Sequence, residues 1–144
     1  MSSAYPVPHV VLLGLLGTWS CGTAGLEQAR HRFLHQVEHQ ALLAACRELL
    51  RQDRIDHPRP ERRERADISR DPTDPTIPKA IRQLAPDRIT VDEEYVRLTF
   101  FPGGYHHIDI VGFRGGPDEA KWATLIGEGR RLLPGLWYYE DVNE

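Results

Sequence analysis

Two clusters of side chains and one cysteine have the types and spacings to do chemistry. The first cluster lies in Gly103-Gly104-Tyr105-His106-His107-Ile108-Asp109. Side chains alternate along an extended strand, so His107 and Asp109 share one side and His106 takes the other. A carboxylate two residues from an imidazole can orient it for general-base work or back up a metal ligand. The same residues suit the polar side of a strand whose opposite side is apolar. No Ser or Cys nucleophile motif accompanies the pair, which favours that plainer role.

The second cluster is His31, His35 and His39, spaced by four within a helical pattern. Imidazoles four residues apart share a helix face and can fill two positions around a zinc ion. At 100° per residue all three fall at the edge of the apolar stripe, where amphipathic side chains border a core. The His-Glu-x-x-His arrangement of metalloproteases is absent. Core-edge histidines are therefore expected, with no metal or other cofactor assigned.

The cysteine is Cys21. It follows the apolar run Val10-Val11-Leu12-Leu13-Gly14-Leu15-Leu16-Gly17 and the segment Thr18-Trp19-Ser20. A short apolar stretch near the N-terminus, closed by small residues, reads as an export signal, with lipid attachment at Cys21 as one form of it. Met1 to His9 carries no Lys or Arg, Thr18 stands where lipoprotein signals place Leu, and Trp19 is bulky; Ser20 fits. Cleavage after Ala24 is the alternative, and a short buried helix of a cytoplasmic protein is the third, since so short a run cannot span a bilayer. Leu43-Ala44-Ala45-Cys46 also matches a lipidation box but sits in a charged helical stretch, and Cys46 has no recognisable partner motif.

Other chemistries find no support. No Gly-x-Gly-x-x-Gly opens a helix and no Gly-Lys-Ser/Thr is present, so the glycines build no phosphate loop. The 144 residues carry a formal charge of −3, which recruits neither nucleic acid nor membrane. Residues 53–76 are rich in Arg, but Asp53, Asp56, Glu61, Glu64 and Asp67 nearly balance it and no aromatic is interleaved to stack bases.

The elements that would position these groups form one α+β domain. Residues 1–24 read as the signal and 25–52 as one long amphipathic helix, with Leu34, Val37, Ala41, Leu42, Ala45 and Leu49 on its apolar stripe and Phe33 widening it. The charged, Pro-punctuated stretch 53–76 reads as a flexible linker. Residues 77–144 complete the domain. Ile77 to Leu84 forms a short helix, with Pro78 in its first turn and Pro86 past its end. Arg88–Val91, Tyr95–Phe101 and His106–Phe113 read as strands, Gly135–Tyr139 as a last one, and Glu119–Ile126 as a brief helix. Asp92-Glu93-Glu94 and Pro102-Gly103-Gly104 supply the hairpin turns. The expectation is a long N-terminal helix and a short helix on one face of a three- to four-stranded antiparallel sheet. Ile81, Leu84, Val96, Leu98, Ile108, Ile110 and Trp137 complete the expected core.

Ala41-Leu42-Leu43-Ala44-Ala45-Cys46-Arg47-Glu48-Leu49, Ile77-Pro78-Lys79-Ala80-Ile81-Arg82, Gly103-Gly104-Tyr105-His106-His107 and Gly135-Leu136-Trp137-Tyr138-Tyr139 resemble phrases of a group of small bacterial proteins of unassigned function. In that group a helix precedes a meander with a Gly-Gly-aromatic-x-His turn. The resemblance spans about residues 39–140 and implies no activity and no catalytic residue. The sequence therefore points to an exported, non-enzymatic binding or interaction module of the cell envelope, with a membrane tether through Cys21 and a protein partner as its contacts. The alternatives are a metal-dependent or acid–base enzyme using His107 and Asp109, and a cytoplasmic domain.

Overall fold

Strict alternation drives the centre of the fold. Val96, Leu98 and Phe100 alternate in Tyr95–Gly103, and Ile108 and Ile110 in His106–Phe113, so pairing the two strands gathers these side chains on one face. The computed structural model describes residues 21–56, 68–103 and 106–141. It shows a six-stranded antiparallel sheet of order β1-β2-β3-β4-β6-β5, formed by β1 (Ile68–Arg70), β2 (Arg88–Val91), β3 (Tyr95–Gly103), β4 (His106–Phe113), β5 (Gly129–Leu133) and β6 (Leu136–Asp141). Four α-helices accompany it: α1 (Cys21–His31), α2 (His39–Asp56), α3 (Lys79–Leu84) and α4 (Glu119–Ile126).

The α+β class, the antiparallel meander and the short helices α3 and α4 follow the sequence expectations. The sheet corrects the expected three or four strands to six. β1 has three residues inside the charged stretch, and β5 reads Gly-Arg-Arg-Leu-Leu. Neither carries an alternating apolar pattern in its sequence, because each is an edge strand paired on one side, β1 half-buried and β5 mostly exposed.

The single long helix is also corrected. α1 passes into a π-helical turn at Arg32–Gln36, and Val37 is extended (φ −85°, ψ 136°) before α2 begins. The freed backbone is satisfied locally: the Val37 N–H donates to the Arg32 carbonyl at 3.2 Å, and His39 Nε2 lies 2.7 Å from the Phe33 carbonyl. The break lets Phe33 turn onto Phe100, their rings 4.5 Å apart. It also rephases the stripe. Leu42, Leu43, Ala45, Cys46, Leu49 and Leu50 are buried, while Ala41 is exposed and Leu34 and Val37 are half-buried.

α2 crosses β4 at Gly112, where an added Cβ would stand 2.5 Å from the Cys46 Cβ. Only glycine admits the helix so close. α1 is tied to β6 by Arg30, whose guanidinium forms a two-pronged ion pair with Glu140; the Tyr138 hydroxyl donates to the same carboxylate at 2.9 Å.

These helices and α3 cover the face bearing Val96, Leu98, Phe100, Ile108, Ile110, Leu136 and Tyr138. α4 covers part of the other face, against Val111, Phe113 and Tyr139, which corrects the expectation of helices on one face only. Glu119 of α4 accepts bonds from the Gly135 N–H (2.9 Å) and Trp137 Nε1 (3.0 Å), and the Tyr139 hydroxyl donates to the Ala123 carbonyl (3.0 Å). Trp137 thus leaves the expected core for the α4 side, half-buried. Tyr138 and Tyr139 are both buried because both faces are covered at β6.

Candidate functional site

Among the described residues α4 packs on the second face of the sheet, and beside it that face carries a group of polar side chains. Register decides who meets whom. Thr99 pairs with Asp109, and Asp109 with Tyr139; Arg97 pairs with Val111, and His107 with Asp141. Strand alternation puts Arg97, Thr99, His107, Asp109, Tyr139 and Asp141 on this one face.

A β-bulge shapes the margin. Phe100 opposes Ile108 and Gly103 opposes His106, so Phe101 and Pro102 together face His107. The Phe101 ring is half-exposed with its centroid 6.0 Å from that of His107.

His107 and Asp109 do come together, as their spacing requires. Asp109 is buried and accepts a 2.6 Å bond from the Thr99 hydroxyl. Its other carboxylate oxygen lies 3.5 Å from His107 Nε2, while His107 Nδ1 lies 3.6 Å from Asp141. These are ion-pair separations, longer than hydrogen bonds. Both imidazole nitrogens are turned to carboxylates. His106 falls on the opposite face, as alternation requires; its Nδ1 is buried and has no hydrogen-bond partner among the described residues.

Beside this pair opens a recess of about 410 Å³, lined by Arg97, His107, Asp109, Ile126, Glu128, Tyr139 and Asp141 among others. Arg97 is half-buried and forms no hydrogen bond or ion pair among the described residues; its Nε is fully buried. Its guanidinium carbon rests 5.8 Å from the Tyr95 ring centroid. Burial pushes the Tyr139 hydroxyl up to about 12, with the nearby Arg97 charge pulling the other way.

The other candidates separate. His31 and His35 have rings 5.2 Å apart and are exposed, but the break at Val37 carries His39 out of line and onto the Phe33 carbonyl. Among the described residues no three His, Cys, Asp or Glu side chains are grouped to hold a metal ion. Cys46 is buried, and burial pushes its thiol up to about 12, which makes it inert as a nucleophile. Cys21 lies in α1, while residues 1–20, which carry the apolar run, and Gly104 and Tyr105 of the Gly-Gly turn lie outside the described residues. No helix among the described residues is long and apolar enough to cross a membrane.

Arg97, Thr99, Tyr139 and Asp141 are the site residues that sequence reasoning missed. Alternation placed Arg97 and Thr99 on one side of β3, but the register joining that side to His107 and Asp109 is a long-range fact. Comparison with protein-family models, curated proteins and solved structures finds no match, so the site rests on its own geometry.

Proposed function

We propose that this chain is a non-enzymatic binding module that holds a small ligand, through an anionic group, in the recess beside Arg97. One observation carries the proposal. A half-buried guanidinium with no acceptor among the described residues lines an open recess of the size small-molecule sites have. Burying a charge without a partner is costly, and a ligand carboxylate or phosphate supplies the two-pronged acceptor that guanidinium geometry suits. Acid–base catalysis by His107 and Asp109 is less well supported, because a general base needs a nitrogen facing the substrate and both nitrogens of His107 face carboxylates.

The test is a thermal-shift and calorimetric screen of the purified chain against small carboxylates and phosphates, beside an R97M variant. Ligands that bind the folded state raise its apparent stability by mass action. At least one anion should raise the melting temperature of the parent and not of R97M. The proposal is wrong if every anion acts alike on both.

Export, with anchoring through Cys21, belongs to the same proposal, and α1 supports it. Leu26, buried against the sheet, lies beyond both candidate cleavage points. Cutting before Cys21 keeps α1 as described, whereas cutting after Ala24 removes its first turn. Intact mass of protein recovered from its native membrane fraction should show a lipid-modified N-terminal cysteine, and C21S should abolish the modification.

A further inference from the structure

The proposed anion site has a second end of opposite charge, and we infer that its ligand is a zwitterion, a free α-amino acid with an apolar side chain. The inference rests on the Arg97 binding proposal and specifies its ligand. The recess that Arg97 lines is also lined by two carboxylates that are not consumed by buried bonds: Asp141, with half of its side chain exposed, and Glu128, exposed on the connection between α4 and β5. Asp109, by contrast, is occupied by Thr99 and His107 on its two oxygens. A simple anion would meet Arg97 and then be repelled by this acidic rim. A simple cation would meet the rim and be repelled by Arg97. A molecule carrying both charges satisfies both ends.

The spacing suits a small zwitterion. Arg97 lies beside Val111, and Asp141 beside His107, four residues along β4. That is about 13 Å between backbone rows, a separation that the ligand and the Arg97 and Asp141 side chains must span together. The lining is mostly polar, and its apolar part is made by Ile126 of α4 and the ring of Tyr139. The Tyr139 hydroxyl is already committed to the Ala123 carbonyl, so the ring presents carbon and no free polar group. A branched aliphatic side chain is what such a wall accepts, and 410 Å³ leaves room for one.

The experiment is calorimetric titration of the purified full chain with leucine, with isocaproate (the same skeleton without the ammonium) and with isoamylamine (without the carboxylate). Leucine should bind at least about tenfold more tightly than either, a gap of roughly 1.4 kcal/mol. D141N and E128Q, both checked for an unchanged denaturation midpoint, should weaken leucine and strengthen isocaproate, so that the gap between the two closes. R97M should remove both. Equal binding of leucine and isocaproate overturns the zwitterion and leaves the anion site standing. Tightest binding by isoamylamine overturns both, because the acidic rim alone then makes the site. No binding by any of the three overturns the amino-acid inference, and the broader anion screen then decides the underlying proposal separately.

Discussion

Substituting Gly112 by Ala tests the packing of α2 on the sheet. A Cβ at this position would lie 2.5 Å from the Cys46 Cβ and 2.8 Å from its Sγ, where non-bonded carbons settle at about 3.5–4.0 Å. Roughly 1 Å of extra separation must therefore open between helix and strand. The obstructing atom is a Cβ, fixed to the helix backbone, so a rotamer change gives no relief. Leu42 and Leu49, one turn to either side and almost wholly buried, must shift with it. Overpacking of this kind costs about 1–3 kcal/mol, offset by about 0.5–1 kcal/mol because Ala loses less backbone freedom than Gly. The net expectation is a loss of about 1–2 kcal/mol. Urea unfolding followed by circular dichroism should show the midpoint falling by roughly 1 M at a typical small-protein slope. C46G removes the obstructing Cβ at a cost of about 1 kcal/mol for glycine within a helix. Combined with G112A it should lose less than the two singles added, by about 0.5 kcal/mol or more. An unchanged G112A midpoint, or strict additivity in the double variant, would refute the crossing of α2 over β4 at this glycine.

Two further outcomes are expected. The Cys46 thiol, buried and pushed up to about 12, should react with an aromatic disulfide reagent only as fast as the protein opens; immediate labelling of C21S, in which Cys46 is the remaining thiol, would show that it is exposed. The Arg30 hydrogen bond holds the Glu140 carboxyl below its ordinary value of 4.5, so the stability this pair adds is present above that value and is lost as the pH falls through the lower folded one. E140Q should cost about 1 kcal/mol at neutral pH and converge with the parent in strong acid, as read from denaturation midpoints across the acid range; a constant difference at every pH would contradict the ion pair.

What the sequence revealed and what it concealed divide by the range of the interactions. Asp92-Glu93-Glu94 sits between alternating runs, and the hairpin β2–β3 forms there because turn and strand signals are adjacent in the chain; at the second expected turn, β3 runs on through Pro102 and Gly103 to pair with His106, and residues 104–105 lie outside the described residues. Gly103 adopts φ 144°, which suits a residue without a side chain. α4 matches its expected bounds for the same local reason. The edge strands β1 and β5 lack alternation since their stabilisation comes from one neighbour only. The break at Val37 escaped notice because the i, i+4 stripe can be counted straight through it; only the docking of Phe33 on Phe100 makes breaking the helix worthwhile. The His107–Asp109 pair was visible as a two-residue spacing. Its partners Arg97, Thr99, Tyr139 and Asp141 come from other strands, and only register joins them.

The tie between Arg30 and Glu140 has a consequence for how the chain is made. The two residues are 110 positions apart, whereas each of the hairpins joins neighbouring segments. During synthesis at about 5–20 residues per second, Arg30 waits roughly 5–20 s for Glu140. Phe33 gains Phe100 of β3 sooner, but the Arg30 tie forms only when β6 is present. α1 is therefore fastened by β6, so the Arg30–Glu140 tie forms only once the other strands of the described sheet have been made.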